Sequence, residues 1–328
     1  MTKYVDAIRL ALENEMERDQ ELLAIGQGVW SPFYVGSSMK DLDKKFGRDR
    51  VIDTPVSENG VTGLALGYAL MEKPIVVIHP RMDFMILALD AIVNSAAKWR
   101  YSLDWKTPIP LTIRAMINRG GEQGAQHSQA LHSWLGHIPG LRVIMPSQPQ
   151  DAYELLVQSI RSPDPTIFIE DRWSYELEGE VNFDCNLQPL ALETPRVIRH
   201  GTEITIVGVG HATNLAINAV NLLEDKEIVE VIDLRVVKPL LVDVILQSLL
   251  KTRRLLVVDL AWASSGVAGE IIATIMERID FSLELQPQRI TLPDCPAPTS
   301  SSLESAYYIS ETQILTRINH MLRDLDSK

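Results

Sequence analysis

Short, almost wholly apolar runs alternate along this chain with longer segments in which apolar residues recur at helical spacing. The runs at 22–25, 51–52, 74–78, 110–114, 142–145 and 166–170 predict strands, and residues 3–18, 61–71, 86–101 and 149–160 predict helices. Brief apolar strands separated by helices predict a parallel sheet covered on both faces. Between Ser174 and Arg196 the periodicity stops, and Glu, Asn, Asp, Gln and Pro residues read as a linker. A second α/β pattern follows, with strands at 203–209, 227–233 and 254–259 and helices at 213–223, 241–250 and 266–279. Residues 304–325 read as closing helices. The pattern predicts a first domain over residues 1–186 and a smaller one over 187–328.

One stretch departs from ordinary core patterning. Asp53-Thr-Pro-Val-Ser-Glu-Asn-Gly60 sets the carboxyl group of Glu58 between a strand and a helix containing Gly60, Gly63 and Gly67. Each glycine inside a helix costs roughly 1 kcal/mol relative to Ala. A slim helix that admits a flat ring or another backbone would offset that cost; a close-packed core helix capped by Ser57 is the plainer reading.

Composition narrows the function. With 328 residues, 46% hydrophobic and 23% charged, the chain can bury a large core. A net charge of −12 without any dense Lys/Arg run argues against nucleic acid or anionic membrane as partner. The acidic N-terminus does not resemble a targeting peptide, and no apolar run approaches the roughly 20 residues needed to span a bilayer. Cys185 and Cys295 are far apart and fit neither a disulfide framework nor a zinc site, so a cytoplasmic, reducing setting is expected.

Individual motifs are weak. Gly208-Val-Gly210 follows a strand but continues His211-Ala-Thr-Asn214, so the third glycine of a dinucleotide fingerprint is missing, and Asp233 reads as the end of a strand with local ion pairs. His127, His132 and His137, spaced by five, fall on different faces of a helix and make no metal triad. His127 differs in lying within the glycine-rich segment 121–129, a loop expected to lead into a helix near Ser128. Loops at strand ends are where a parallel sheet places its chemistry.

Taken together, the motifs resemble one family. Asp53-Thr-Pro-Val-Ser-Glu-Asn-Gly60, Met82-Asp-Phe84, Ala91-Ile-Val-Asn-Ser-Ala-Ala-Lys98, Gly124-Ala-Gln-His-Ser-Gln129, Trp134-Leu-Gly-His-Ile-Pro-Gly-Leu-Arg-Val143 and Asp233-Leu-Arg-Val-Val-Lys-Pro239 occur in the order and register of the β subunits of thiamine-diphosphate-dependent 2-oxo acid dehydrogenases. The resemblance runs from about Val5 to the C-terminal helices. It implies an α/β fold with a parallel-sheet pyrimidine-binding domain and a smaller transketolase C-terminal-like domain. The implied activity is decarboxylation of a 2-oxo acid and transfer of the acyl group to a lipoyl carrier on an acyltransferase.

The resemblance also assigns roles. Glu58 is the carboxyl group on the pyrimidine N1′ that favours the activating imino form of thiamine diphosphate, and Val56 and Phe84 pack at the pyrimidine ring. His127 lines the reaction cavity, where an imidazole can give or take a proton near neutral pH. No Gly-Asp-Gly segment for Mg²⁺ and diphosphate is present in the sequence, so that half of the cofactor site is expected from an α subunit in an α₂β₂ heterotetramer. Some relatives hold K⁺ on backbone carbonyls that correspond to Leu111, Ser159, Ile160, Ser162 and Asp164; no side-chain metal ligand is expected.

Three departures stand out. Ile78-His-Pro-Arg81 replaces a common Glu-Phe-Met, Leu103-Asp-Trp-Lys106 stands where Gly-Gly often follows the Ser-Ala-Ala-Lys helix, and Gly26-Gln-Gly28 replaces an acidic Gly-Glu-Asp or Gly-Glu-Glu. His79 and Arg81 are therefore candidates to bridge to the partner chain or to hold an anionic substrate. Two other readings are kept. The C-terminal half of a split transketolase would share both domains but move ketol units between sugars; Val56-Ser-Glu58 and the segment from Asn94 to Lys98 favour the dehydrogenase. A non-catalytic partner subunit would not need Glu58, Phe84 and His127 together.

Overall fold

In the computed structural model, which describes residues 1–104, 106–183 and 194–323, each of the six strands expected in the N-terminal half is present. They lie in the order Arg142–Ile144, Thr166–Asp171, Leu111–Ile117, Ile75–His79, Leu23–Gly26 and Val51–Asp53, and every neighbouring pair is parallel. Their side chains are buried on both faces along Ile75–His79, Leu111–Ile117 and Thr166–Asp171, which is why these strands read as unbroken apolar runs. On this unit the helix Tyr4–Arg18 packs beside Pro149–Arg161. Arg161 donates to the buried Glu15 at 2.9 Å through Nε, and Asn14 donates to the Tyr153 hydroxyl at 2.7 Å.

The second unit takes in Gly120–Ala125 and Met145–Ser147 as well as the C-terminal part of the chain. Its sheet runs Arg196–Arg199, Val229–Asp233, Ile204–Val209, Leu255–Trp262 and Gln288–Leu292, parallel except for the antiparallel first strand. The two edge strands carry mostly half-buried residues and so lack the apolar signature of the centre. The boundary expected at 186/187 and Cys185 lie outside the described residues.

Three local expectations are corrected. The helix expected at 86–101 is a composite: Met82–Met85 is α-helical, Ile86–Ala88 is 3₁₀, Asp90–Ala96 is π-helical and Ala97–Ser102 is α-helical again. Apolar periodicity reports the buried face, not which carbonyl each N–H selects. No helix begins near Ser128; a short one spans His132–Gly136. The helix after Asp53 is Glu58–Ala69, and Ser57 makes no side-chain cap to it.

The Gly208-Val-Gly210 motif receives a packing explanation. A Cβ on Gly208 would sit 2.5 Å from the Cα of Thr213, and Gly210 has φ +56°, so both glycines serve a tight strand-to-helix turn. The Asp233 carboxylate accepts from the hydroxyls of Ser147 at 2.5 Å and Thr213 at 3.2 Å and from the Arg235 N–H at 3.2 Å, a structural role at a strand end. Among the described residues no helix is long and apolar enough to cross a membrane.

Candidate active site

The carboxyl ends of Leu23–Gly26, Val51–Asp53 and Ile75–His79 converge on Glu58. Asp53 ends its strand and accepts from the Gly28 N–H at 2.7 Å, which fixes the turn after Gly26. Gly28 has φ +66° and packs so closely on Tyr34 that a Cβ would meet its ring at 2.1 Å, so only glycine serves there. The anchored turn presents Gln27, whose Nε2 donates to Glu58 Oε1 at 3.0 Å.

Glu58 is the first residue of its helix and is 6% exposed. A carboxyl group in a helix's first turn is favoured by the positive end of the helix dipole and by unpaired backbone N–H groups. One turn on, the buried Thr62 hydroxyl pairs with His79 Nε2 at 3.1 Å. Residues i and i+4 share a helix face, which is how Glu58 and Thr62 both meet the sheet edge. The opposite face of this helix is bare: Gly60, Gly63, Leu64 and Gly67 are exposed, and a Cβ on Gly63 or Gly67 would touch nothing within 4 Å. At Gly63 and Gly67 the helix therefore makes no close approach to the described residues.

His79, 2% exposed, cannot bridge to another chain, which corrects that part of the sequence reading. Burial drives its pKa down to about 4, although nearby Glu58 acts in the raising direction. The imidazole is neutral at pH 7. In the unfolded chain it titrates near 6.5, so the unfolded state binds the extra proton as the pH falls through the window from 6.5 to 4. Stability due to neutral His79 is complete above 6.5 and is reduced by roughly 3 kcal/mol at pH 4. Denaturant unfolding of wild type and His79→Gln at pH 7 and pH 4 should show a smaller acid loss in the variant by about that amount; parallel losses would refute the buried neutral imidazole.

Phe84 and His127 meet separately. Their rings stand edge to face, with centroids 5.3 Å apart at 89°. Asp83, 3% exposed, supports this pair: its Oδ1 accepts from the backbone N–H of Gln129 at 3.1 Å and from the Gln129 side chain at 3.0 Å, tying the His127 loop to the helix that carries Phe84. Burial pushes the Asp83 carboxyl up, against the two Gln129 hydrogen bonds and the nearby His127. Phe84 keeps 39% of its surface exposed and Val56 78%.

The structure thus joins Glu58 to Gln27, and Phe84 to His127, at the carboxyl edge of one sheet, and leaves Val56 standing out in solvent. Gln27, Thr62, Asp83 and Gln129 escaped the sequence reading as site residues. Gln27, Asp83 and Gln129 left a signal, the first as a departure from an acidic pattern and the others inside the Met82-Asp-Phe84 and Gly124-Ala-Gln-His-Ser-Gln129 motifs.

These residues fit a thiamine cofactor. Among the described residues, Glu58 Oε2 takes no hydrogen bond, so the carboxyl retains an acceptor for an external ring nitrogen. The exposed Phe84 ring supplies a flat apolar contact. The carbonyls suggested for K⁺ are less distinctive: that of Ser159 already accepts from the Ser162 N–H at 3.2 Å, and that of Asp164 from the Thr166 hydroxyl at 3.1 Å.

Residues 1–177 match the transketolase pyrimidine-binding domain and residues 194–314 the transketolase C-terminal domain. The chain is 36% identical over 320 residues to the pyruvate dehydrogenase E1 component subunit beta of Porphyra purpurea, covering 97% of this chain and 96% of that one. It is 35% identical over 325 residues to the acetoin:2,6-dichlorophenolindophenol oxidoreductase subunit beta of Bacillus subtilis (strain 168), covering 95% and 94%. Among solved structures, a split gene transketolase described as an inactive beta4 tetramer shares the fold at a TM-score of 0.78, with 16% identity and 98% coverage of both chains. With both domain matches in order and such relatives along nearly its whole length, the chain belongs to the transketolase superfamily, in the family of E1-type dehydrogenase β subunits.

Proposed function

We propose that this chain is the β subunit of a thiamine-diphosphate-dependent E1 enzyme that decarboxylates a 2-oxo acid and passes the acyl group to a lipoyl carrier. The observation that carries the reading is the buried Glu58, fixed at a helix start by Gln27 and still able to accept a second hydrogen bond. When bound, thiamine diphosphate supplies the carbon nucleophile and the electron sink for loss of carbon dioxide. Glu58 would hold the pyrimidine through N1′ and favour its activating tautomer. Phe84 and Val56 would cover the ring and exclude water. His127, held edge-on by Phe84 and by the Asp83–Gln129 bonds behind it, would give or take protons at the substrate and at the incoming carrier. Mg²⁺ and the diphosphate would be held by an α subunit, with two sites in an α₂β₂ assembly. The names of the relatives as β subunits and the apolar surface left on Val56 and Phe84 support the partnership.

Mixing the chain with its α partner, thiamine diphosphate and Mg²⁺ tests this. Turnover of a 2-oxo acid with an artificial electron acceptor is expected, and none from the β chain alone. Activity on ketose and aldose phosphates instead would establish the split transketolase, and turnover by the isolated chain would refute the shared site.

A further inference from the structure

A cleft of about 290 Å³ opens on the first unit, lined by Ser31, Phe33, Tyr34, Arg81, Asn118 and Arg172 together with Pro80. That is at the small end of ligand pockets, room for a small molecule. Its walls come from the carboxyl ends of the parallel strands: Arg81 lies two residues beyond Ile75–His79, Asn118 directly follows Leu111–Ile117, and Arg172 directly follows Thr166–Asp171. Open parallel sheets bind ligands at this edge.

The charge of the cleft is at odds with the chain around it. The protein carries a net −12, yet the lining holds two guanidinium groups and no carboxylate. The two carboxylates that end the strand before Arg172 are engaged with other cations: Asp171 pairs with Arg119 at 3.0 Å, and Glu170 is bound to Arg114. The cleft is also built. The buried Asn118 donates to the Pro80 carbonyl at 3.1 Å and so fixes the backbone beside Arg81, while Arg172 donates to the Tyr34 carbonyl at 2.6 Å and so ties down the aromatic rim. Planar guanidiniums recognise planar oxyanions through paired hydrogen bonds.

We propose that this cleft binds a small carboxylate anion between Arg81 and Arg172. As an anion site it stands independently; as the seat of a substrate carboxylate it rests on the function proposed above. Two residues separate Arg81 from Phe84, which places the cleft on the same strand end as the candidate cofactor residues. A carboxylate bound there would belong to a substrate approaching from this chain's side of the site.

Isothermal titration of the full chain, without partner or cofactor, tests binding apart from catalysis. Malonate is the probe at constant ionic strength, with inorganic phosphate as a second arm and Arg317→Gln, on the second unit, as control. Malonate should bind at one site, and Arg81→Gln and Arg172→Gln should each weaken it at least about tenfold, with the control unchanged. The two variants report independently should one fail to fold. No saturable malonate binding, or equal binding by the variants and the control, would overturn the proposal. Phosphate binding tenfold tighter than malonate, and lost in the same variants, would overturn the carboxylate assignment in favour of a phosphorylated ligand. Failure of the 2-oxo acid assay with malonate binding intact would refute the catalytic reading and leave the anion site standing.

Discussion

Replacing Glu58 with Gln should lower turnover of the assembled enzyme by roughly a hundred- to a thousand-fold, the scale seen when one preorganised catalytic hydrogen-bonding group is removed. The substitution preserves size, and the amide oxygen of the new side chain can still accept from Gln27, which now bonds Oε1 at 3.0 Å. What it removes is a carboxyl group able to share a proton with a ring nitrogen. A fall in kcat with an unchanged unfolding midpoint would separate chemistry from folding; near-normal turnover would end the assignment of Glu58. Little loss in His127→Ala, measured beside it, would confine that residue to packing against Phe84.

The second large effect concerns stability. Arg114 and Glu170 are both fully buried and form a two-pronged pair between neighbouring strands, with Arg114 Nη2 to Glu170 Oε2 at 2.9 Å. Arg114 Nη2 also donates to the Ser38 hydroxyl at 2.9 Å, and Tyr175 donates its hydroxyl to Glu170 at 2.9 Å, so the pair links the sheet to the segments before and after it. Glu170→Ala should cost about 3–5 kcal/mol, because it strands a guanidinium where water cannot reach. Against a total stability of about 5–15 kcal/mol that is a major loss. The double variant Arg114→Met/Glu170→Met should recover most of it, since a buried pair gains little over apolar residues of similar size once both desolvation costs are removed. Chemical denaturation of the three proteins decides the matter: equal losses in the single and double variants would show that the pair contributes net attraction.

The buried pair also shows the limit of reading this chain by pattern. The strand containing Glu170 was predictable from Thr-Ile-Phe-Ile, yet Arg114 and Glu170 stand 56 residues apart, and nothing local couples them. The same holds for Gln27 and Glu58, 31 apart, and for Thr62 and His79, 17 apart. Parallel strand pairing brings the first pair together, and the packing of the helix Glu58–Ala69 against the sheet brings the other two. The edge strands Arg196–Arg199 and Gln288–Leu292 were missed for a different reason: half-buried edges lack the unbroken apolar run that marked the centre.

What the amino-acid sequence determined by itself was the alternation of strands and helices, the family to which the ordered motifs belong, and the identities of Glu58, Phe84 and His127 as candidates. These depend on local periodicity and on residue types at short spacing, which a linear chain displays directly. The tertiary structure alone decided that Gln27 grips Glu58, that His79 is a buried neutral partner of Thr62 and no surface bridge, that Asp83 holds the His127 loop, and that Arg81 and Arg172 line one cleft. Hydrogen-bond geometry and desolvation depend on which atoms share a few ångströms of space, and that is set by the packing of strands far apart along the chain.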